Sequence, residues 1–147
     1  AGTGSAQDEM IEYVRRNSLT NVIFLGYQHK NAVYELTHNS ICVVCPSIWY
    51  ENYPFSVIES LLISKPVIGA NIGGIPELVI DGNTGYLFQP DDINDLRDKL
   101  LKLWNDPEHA HALGKQAREY ICEKVSFQRH WTILQKVIEK LPQKVIG

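Results

Sequence analysis

Four short apolar runs limit what this chain can fold into. "NVIFLG" (21–26), "ICVVCP" (41–46), "KPVIGA" (65–70) and "GYLF" (85–88) have strand length and are nearly continuous in apolar residues. Strands buried on both faces carry such runs, because neither side-chain direction meets water. Helix-patterned segments separate them. Ser5 and Asp8 resemble a capping box ahead of Met10, Ile11, Tyr13 and Val14. Asn31 can cap a helix presenting Ala32, Val33 and Leu36. Pro54 suits the first turn of a helix running to about Ser64, with Val57, Ile58, Leu61 and Leu62 apolar. "PELV" (76–79) reads as a short helix.

After "GYLFQPDD" the pattern turns all-helical, giving a helical tail over 92–140. Asp92 opens a helix with Leu96, Leu100, Leu101 and Trp104 as its apolar residues. Pro107 opens a second, with Ala110, Leu113, Ala117 and Tyr120. Ser126 opens a third, with Trp131, Leu134, Val137 and Ile138. Strands alternating with helices across short loops predict an α/β fold: a Rossmann-like, doubly wound parallel sheet with right-handed crossovers. Ligands of such sheets bind beyond the carboxyl ends of the strands, at a topological switch point. The loops that matter are then 1–5, 26–30, 46–53 and 71–75.

The 147 residues are 44% hydrophobic and 21% charged, enough apolar content for one packed core. A net charge of −3 argues against a nucleic-acid backbone or an anionic membrane as the main partner. No run approaches the roughly 18 apolar residues of a membrane span. The opening "AGTGS" predicts a piece of a longer chain. It also resembles the start of a dinucleotide motif, but the expected third glycine is absent. Cys42 and Cys45 have CxxC spacing inside a run that reads as a strand, where they point to opposite faces. With Cys122 they make an odd count, and buried free thiols in a reducing compartment fit best. His109 and His111 are two apart on a helix and share no face. No metal-ligand spacing is present.

The loop after the second run carries the densest chemistry: "PSIWYENYPFSVIES" (46–60). Amides at the start of the Pro54 helix make a natural anion site, helped by the helix dipole. Glu51 cannot ligate phosphate beside them, but it can accept hydrogen bonds from neutral hydroxyls. Glu59, more than a turn into the helix, can do the same on the other side. A sugar, a diphosphate and a ribose in a row would satisfy all three groups. Alternatively, Glu51 caps the helix and Glu59 is simply solvated. "GANIGGIPELVIDGNTGYLF" follows the third run. Gly73 and Gly74 allow close backbone approach to a ligand, or form a structural turn. "DGNTG" (81–85) reads as a tight turn.

Three stretches in register resemble the retaining glycosyltransferases of family 4, which have the GT-B fold. "PSIWYENYPFSVIES" is similar to that family's Glu-(seven residues)-Glu segment. "SKPVIGANIGGIPELV" is similar to its "GKPVIAS…GGxPEVV", and "DGNTGYLFQPDD" to its "DGxxGxLxxPxD". "NVIFLG" with the helix and strand after it is also similar. The resemblance covers about residues 1 to 140.

It implies one nucleotide-sugar-binding domain over 1–147, the donor half of a larger enzyme. The amino-terminal acceptor domain, the first strand and the family's basic phosphate-contacting residues would lie upstream. By resemblance Glu51 binds donor-sugar hydroxyls, and is catalytic only in the sense of orienting the donor and stabilising charge. Glu59 binds the ribose. The amides of Phe55, Ser56 and Val57 hold the diphosphate, Asn52, Tyr53 and Pro54 belong to the same donor-sugar and nucleotide-binding segment, and Gly26 and Tyr27 border the base. Asn52 stands where many members have glycine, and so does Pro54.

The implied substrate is an NDP-sugar with uridine or guanosine as the base. No cofactor and no metal are implied. The implied acceptor is a glycan or lipid-linked sugar, in polysaccharide or capsule assembly, with no nucleic-acid partner. The implied location is cytoplasmic, with peripheral contact at the inner face of the membrane through the full-length protein. The fragment alone is expected to be inactive. Two other classes stay open: a nucleotide-binding or structural module without transfer activity, and a sugar-nucleotide epimerase, expected to lack the paired-Glu segment. The last helix is expected to pack back toward the other domain. Trp131 on it is either ordinary core or an exposed surface that drives self-association.

Overall fold

The computed structural model describes residues 1–140. Residues 141–147, the end of the expected domain, lie outside them. The residues cluster into two compact units, Ala1–Asn39 and the chain from Ser40 onward.

The first unit holds α1 (Gln7–Arg16) and α2 (Lys30–His38). The expected caps differ. Ala6, without a side-chain bond, caps α1 in place of Ser5, and Asn31 falls inside α2, which His29 precedes. "NVIFLG" is not a strand: it joins no ladder among the described residues. A strand is stable only against partners, and Ile23 in this run is 78% exposed. Gly26 ends the run at φ 60°, and its carbonyl accepts the Gly2 amide at 2.6 Å. Among the described residues none in this unit is buried.

The second unit is the α/β core. Its strands β1 (Val43–Cys45), β2 (Val67–Ala70) and β3 (Gly85–Phe88) form one parallel sheet in the order β1-β2-β3. Cys45 pairs with Gly69, and Ala70 with Phe88. The parallel sheet is as expected. The strands follow chain order, however, so no reversal of strand order falls among these three. Burial is also uneven. β2, flanked on both sides, is buried throughout, whereas β1 is an edge strand and Val44 is partly open to solvent.

Helix α3 (Phe55–Leu62) buries Val57, Ile58, Ser60 and Leu61. Its carboxyl end is a Schellman turn. The Lys65 amide bonds the Ser60 carbonyl and the Ser64 amide bonds that of Leu61, both at 3.0 Å. Ser64 takes the left-handed position of that turn, at φ 61°. Helix α6 (Pro107–Lys124) lies directly over it: a Cβ on Gly114 would sit 2.1 Å from the Ser64 carbonyl oxygen. Helix α4 (Ile75–Leu78) starts one residue before Pro76. The Tyr120 hydroxyl donates to the Glu77 carbonyl at 3.2 Å, and Lys124 Nζ donates to the same oxygen, tying α4 to α6.

The tail is helical as expected, with Asp106 rather than Pro107 capping the middle helix. Helices α5 (Ile93–Asn105), α6 (Pro107–Lys124) and α7 (Phe127–Glu139) begin after Asp92, Asp106 and Ser126, each accepting the amide three residues on. The buried positions differ in part. On α5 the buried residue is Leu103, while Trp104 is 69% exposed and Leu101 also faces out. Ile121 joins Ala110, Leu113 and Ala117 in the core. No described residue of α7 is buried, so Trp131 is not core.

Three stability changes follow. Leu103→Ala should cost about 2–5 kcal/mol in urea unfolding, and Trp104→Ala only about 0.5 kcal/mol. Ser64→Gly should raise stability by about 0.5–1 kcal/mol, since it removes left-handed strain at the price of some unfolded-chain entropy.

Candidate functional site

Parallel pairing brings the carboxyl ends of β1 and β2, Cys45 and Ala70, to one edge of the sheet. The loop leaving β1 runs into α3, and the loop leaving β2 runs into α4. The two loops touch through their backbones. A Cβ on Gly73 would lie 2.6 Å from the Glu51 carbonyl oxygen, and one on Gly74 would lie 2.0 Å from that of Asn52. The Gly74 amide donates to the Glu51 carbonyl at 2.6 Å. Gly73 also holds φ 60°. These glycines therefore serve the neighbouring loop, which needs residues without a Cβ at both places.

Glu51 is half-buried, and its Oε1 accepts the Ser47 hydroxyl at 2.9 Å. It does not cap α3, which has no side-chain cap at all. Pro54 is the N-cap rather than a first-turn residue, with φ −67° and a buried ring. Its carbonyl accepts the amides of both Val57 (3.1 Å) and Ile58 (3.3 Å). Of the three amides expected to face an anion, Val57 is thus already committed, and its side chain is fully buried. Phe55 and Ser56 keep amides with no backbone acceptor among the described residues, as the first turn of a helix leaves them. The helix dipole adds partial positive charge at that end.

Asn52, Tyr53, Phe55, Ser56 and Glu59 are exposed. Glu59 lies four residues beyond Phe55, on the same stripe of α3. The edge therefore combines a fixed half-buried carboxylate, two open amides and an exposed carboxylate one turn along. That set can hold a ligand with an anionic centre flanked by hydroxyls. Gly26 and Tyr27 belong to the first unit. There Tyr27 is 71% exposed and sits edge-on to the His29 ring at 5.5 Å. Sequence reasoning gave Ser47 no role. Its only signal is a hydroxyl four residues ahead of Glu51, in a loop whose geometry the sequence does not fix.

An α/β sheet with its working loops at the carboxyl edge is the architecture of the GT-B glycosyltransferases, and solved structures agree. The Anabaena protein HepE in complex with UDP superposes with a TM-score of 0.81 at 23% identity, over 95% of this chain and 40% of that one. TarM superposes with a TM-score of 0.79 at 30% identity, over 92% and 26%. Residues 1–120 match the family described as glycosyl transferases group 1, and the chain belongs to that family. An uncharacterized glycosyltransferase of Methanocaldococcus jannaschii is 31% identical over 95% of this chain and 39% of its own length. The α-1,3/1,6-mannosyltransferase ALG2 of Dictyostelium discoideum is 32% identical over 92% and 31%. The chain thus spans well under half the length of these relatives.

Other candidate chemistry does not assemble. Among the described residues no three His, Cys, Asp or Glu side chains are grouped to hold a metal. His109 is engaged with the Tyr86 hydroxyl at 2.9 Å. Cys42, Cys45 and Cys122 are free thiols, and burial pushes the Cys42 thiol above its ordinary pKa. Since the thiolate is the reactive form, iodoacetamide at neutral pH should label exposed Cys122 well before Cys42. Peptide mapping over a time course reads the order.

Proposed function

We propose that this chain is the donor-binding half of a family 4 retaining glycosyltransferase. It takes a UDP- or GDP-sugar, and the full-length enzyme transfers a hexose-type sugar to a glycan or lipid-linked acceptor, in polysaccharide biosynthesis. The observation that carries this reading is the carboxyl edge itself. Glu51 bonds Ser47 and does not cap α3, so the Phe55 and Ser56 amides stay open at the helix mouth, with Glu51 in the loop before it and Glu59 one turn along the helix.

Each group then has a task. The two amides and the helix dipole receive the diphosphate. Charge grows on that diphosphate as the sugar departs, so donors aimed there favour the transition state over the ground state. Glu51 accepts from the donor-sugar hydroxyls and Glu59 from the ribose. A carboxylate is suited to hydroxyls and repelled by phosphate, which sorts the ligand along the edge. The acceptor hydroxyl, held by the rest of the enzyme, attacks from the face the nucleotide leaves, so configuration is retained.

No metal or cofactor enters this scheme. The enzyme acts in the cytoplasm, and any contact with the inner face of the membrane comes through the remainder of the protein. Among the described residues no helix is long and apolar enough to cross a membrane.

Titration of the ¹⁵N-labelled chain with UDP and GDP should shift the amides of 51–59, those of Phe55 and Ser56 foremost. No binding of either nucleotide, or shifts confined elsewhere, overturns the donor-site assignment. In the full-length enzyme Glu59→Ala should weaken nucleotide binding about tenfold or more, the worth of hydrogen bonds to a charged acceptor. Unchanged donor KM in that variant contradicts the ribose assignment.

A further inference from the structure

We propose that Ser47 and Gly74 form a two-point clamp that positions Glu51 for the donor sugar. The inference rests on the donor-site reading above and goes beyond it, because neither residue need touch the ligand.

The two contacts grip different parts of the same residue. The Ser47 hydroxyl donates to Glu51 Oε1 at 2.9 Å, fixing the carboxylate. The Gly74 amide donates to the Glu51 carbonyl at 2.6 Å, fixing the backbone that carries it. Gly74 is buried, and no side chain fits there: a Cβ would stand 2.0 Å from the Asn52 carbonyl oxygen. That gap is far inside van der Waals contact and is bounded by backbone, which cannot rotate away.

A glutamate side chain free in water occupies many rotamers and loses them on binding. Here much of that ordering is done before the ligand arrives. A neutral hydroxyl is also the right orienting group. It holds the carboxylate without neutralising it, and it occupies one oxygen only, leaving Oε2 to accept from sugar hydroxyls. An arginine or lysine in its place would compete with those hydroxyls for the charge. Ser47 and Gly74 are thus positioning residues, acting through Glu51.

The clamp acts on the sugar and not on the nucleotide, and this separates it from a general structural role. The test measures dissociation constants for UDP and UDP-glucose, and for GDP and GDP-mannose, on the chain and its variants. The readout is the ratio of nucleotide to nucleotide-sugar affinity. Glu51→Gln should abolish the advantage of the sugar form. Ser47→Ala should lower it about fivefold, the cost of ordering one long side chain on binding, with UDP or GDP affinity unchanged. Ser47→Thr, which keeps the hydroxyl, should restore it. Gly74→Ala should lose it entirely. Ser47→Ala carries the test if Gly74→Ala fails to fold.

If the ratio survives Ser47→Ala and Gly74→Ala but falls in Glu51→Gln, the clamp is refuted and the donor site stands. If both nucleotide and nucleotide-sugar affinities fall equally in the clamp variants, the role is structural and the clamp is again refuted. If neither pair binds, or the wild type shows no sugar advantage, the assignment of Glu51 fails and the clamp falls with it.

Discussion

The backbone contact between Gly74 and the Glu51–Asn52 segment is the constraint on which the rest of the site depends. Parallel pairing of β1 with β2, Cys45 opposite Gly69, delivers both loops to the same edge. Two polypeptide backbones then meet with no side chain between them. The strand beneath is built the same way: a Cβ on Gly69 would lie 2.5 Å from Ile75 Cγ2, so α4 seats directly on β2. A helix seated that low keeps the loop ahead of it short and close to the edge, where its amide reaches Glu51. A side chain at Gly73 or Gly74 would meet backbone far inside van der Waals contact, and a packed interior does not absorb that.

Helix α3 is built asymmetrically, and the asymmetry suits an edge that receives a ligand. Its carboxyl end is fully closed by the Schellman bonds at Ser60 and Leu61 and is overlaid by α6 at Gly114. Its amino end has no side-chain cap. The Pro54 carbonyl takes two amides and leaves two. Proline has no amide of its own to satisfy, and its ring sets φ before the helix begins. One face, Val57 to Leu61, is locked into the core, so the open mouth cannot drift. Serine at the left-handed position of the closed end costs some stability but keeps the bond pattern intact.

Much of the second unit was legible in the sequence because its signals are local. Asp92, Pro107 and Ser126 announce three helices, since caps and a first-turn proline act within three residues, although the Asp106 cap was not read. The runs "ICVVCP", "KPVIGA" and "GYLF" mark strands because their neighbours in space are also their successors in the chain. "NVIFLG" has the same composition and forms no ladder among the described residues, for pairing is a property of two segments and a run states only one. Helix rotation was half legible: the α5 pattern predicts an apolar stripe but not that Leu103 would win the core over Trp104. At the candidate site, the open amino end of α3 could be anticipated, because a helix start leaves its first amides unpaired wherever it lies. Ser47 was not, because its bond to Glu51 depends on a loop geometry that residue type does not fix, and the packing of Gly73 and Gly74 was not, because it depends on a contact with residues more than twenty positions away.

That contact also accounts for a loop of poor composition for a protein surface. Trp49 is 68% exposed, Tyr50 84% and Phe55 75%. Large apolar side chains usually fix a loop by burying themselves, and these do not. The loop is held from beneath instead, by the Gly74 amide, the Ser47 hydroxyl and the buried Pro54 ring. Once the backbone is secured that way, its side chains are released from any duty to the core. An aromatic and acidic segment can then stand at the mouth of a helix without collapsing onto it, and the surface it presents is set by what it meets outside the protein rather than by what it covers within.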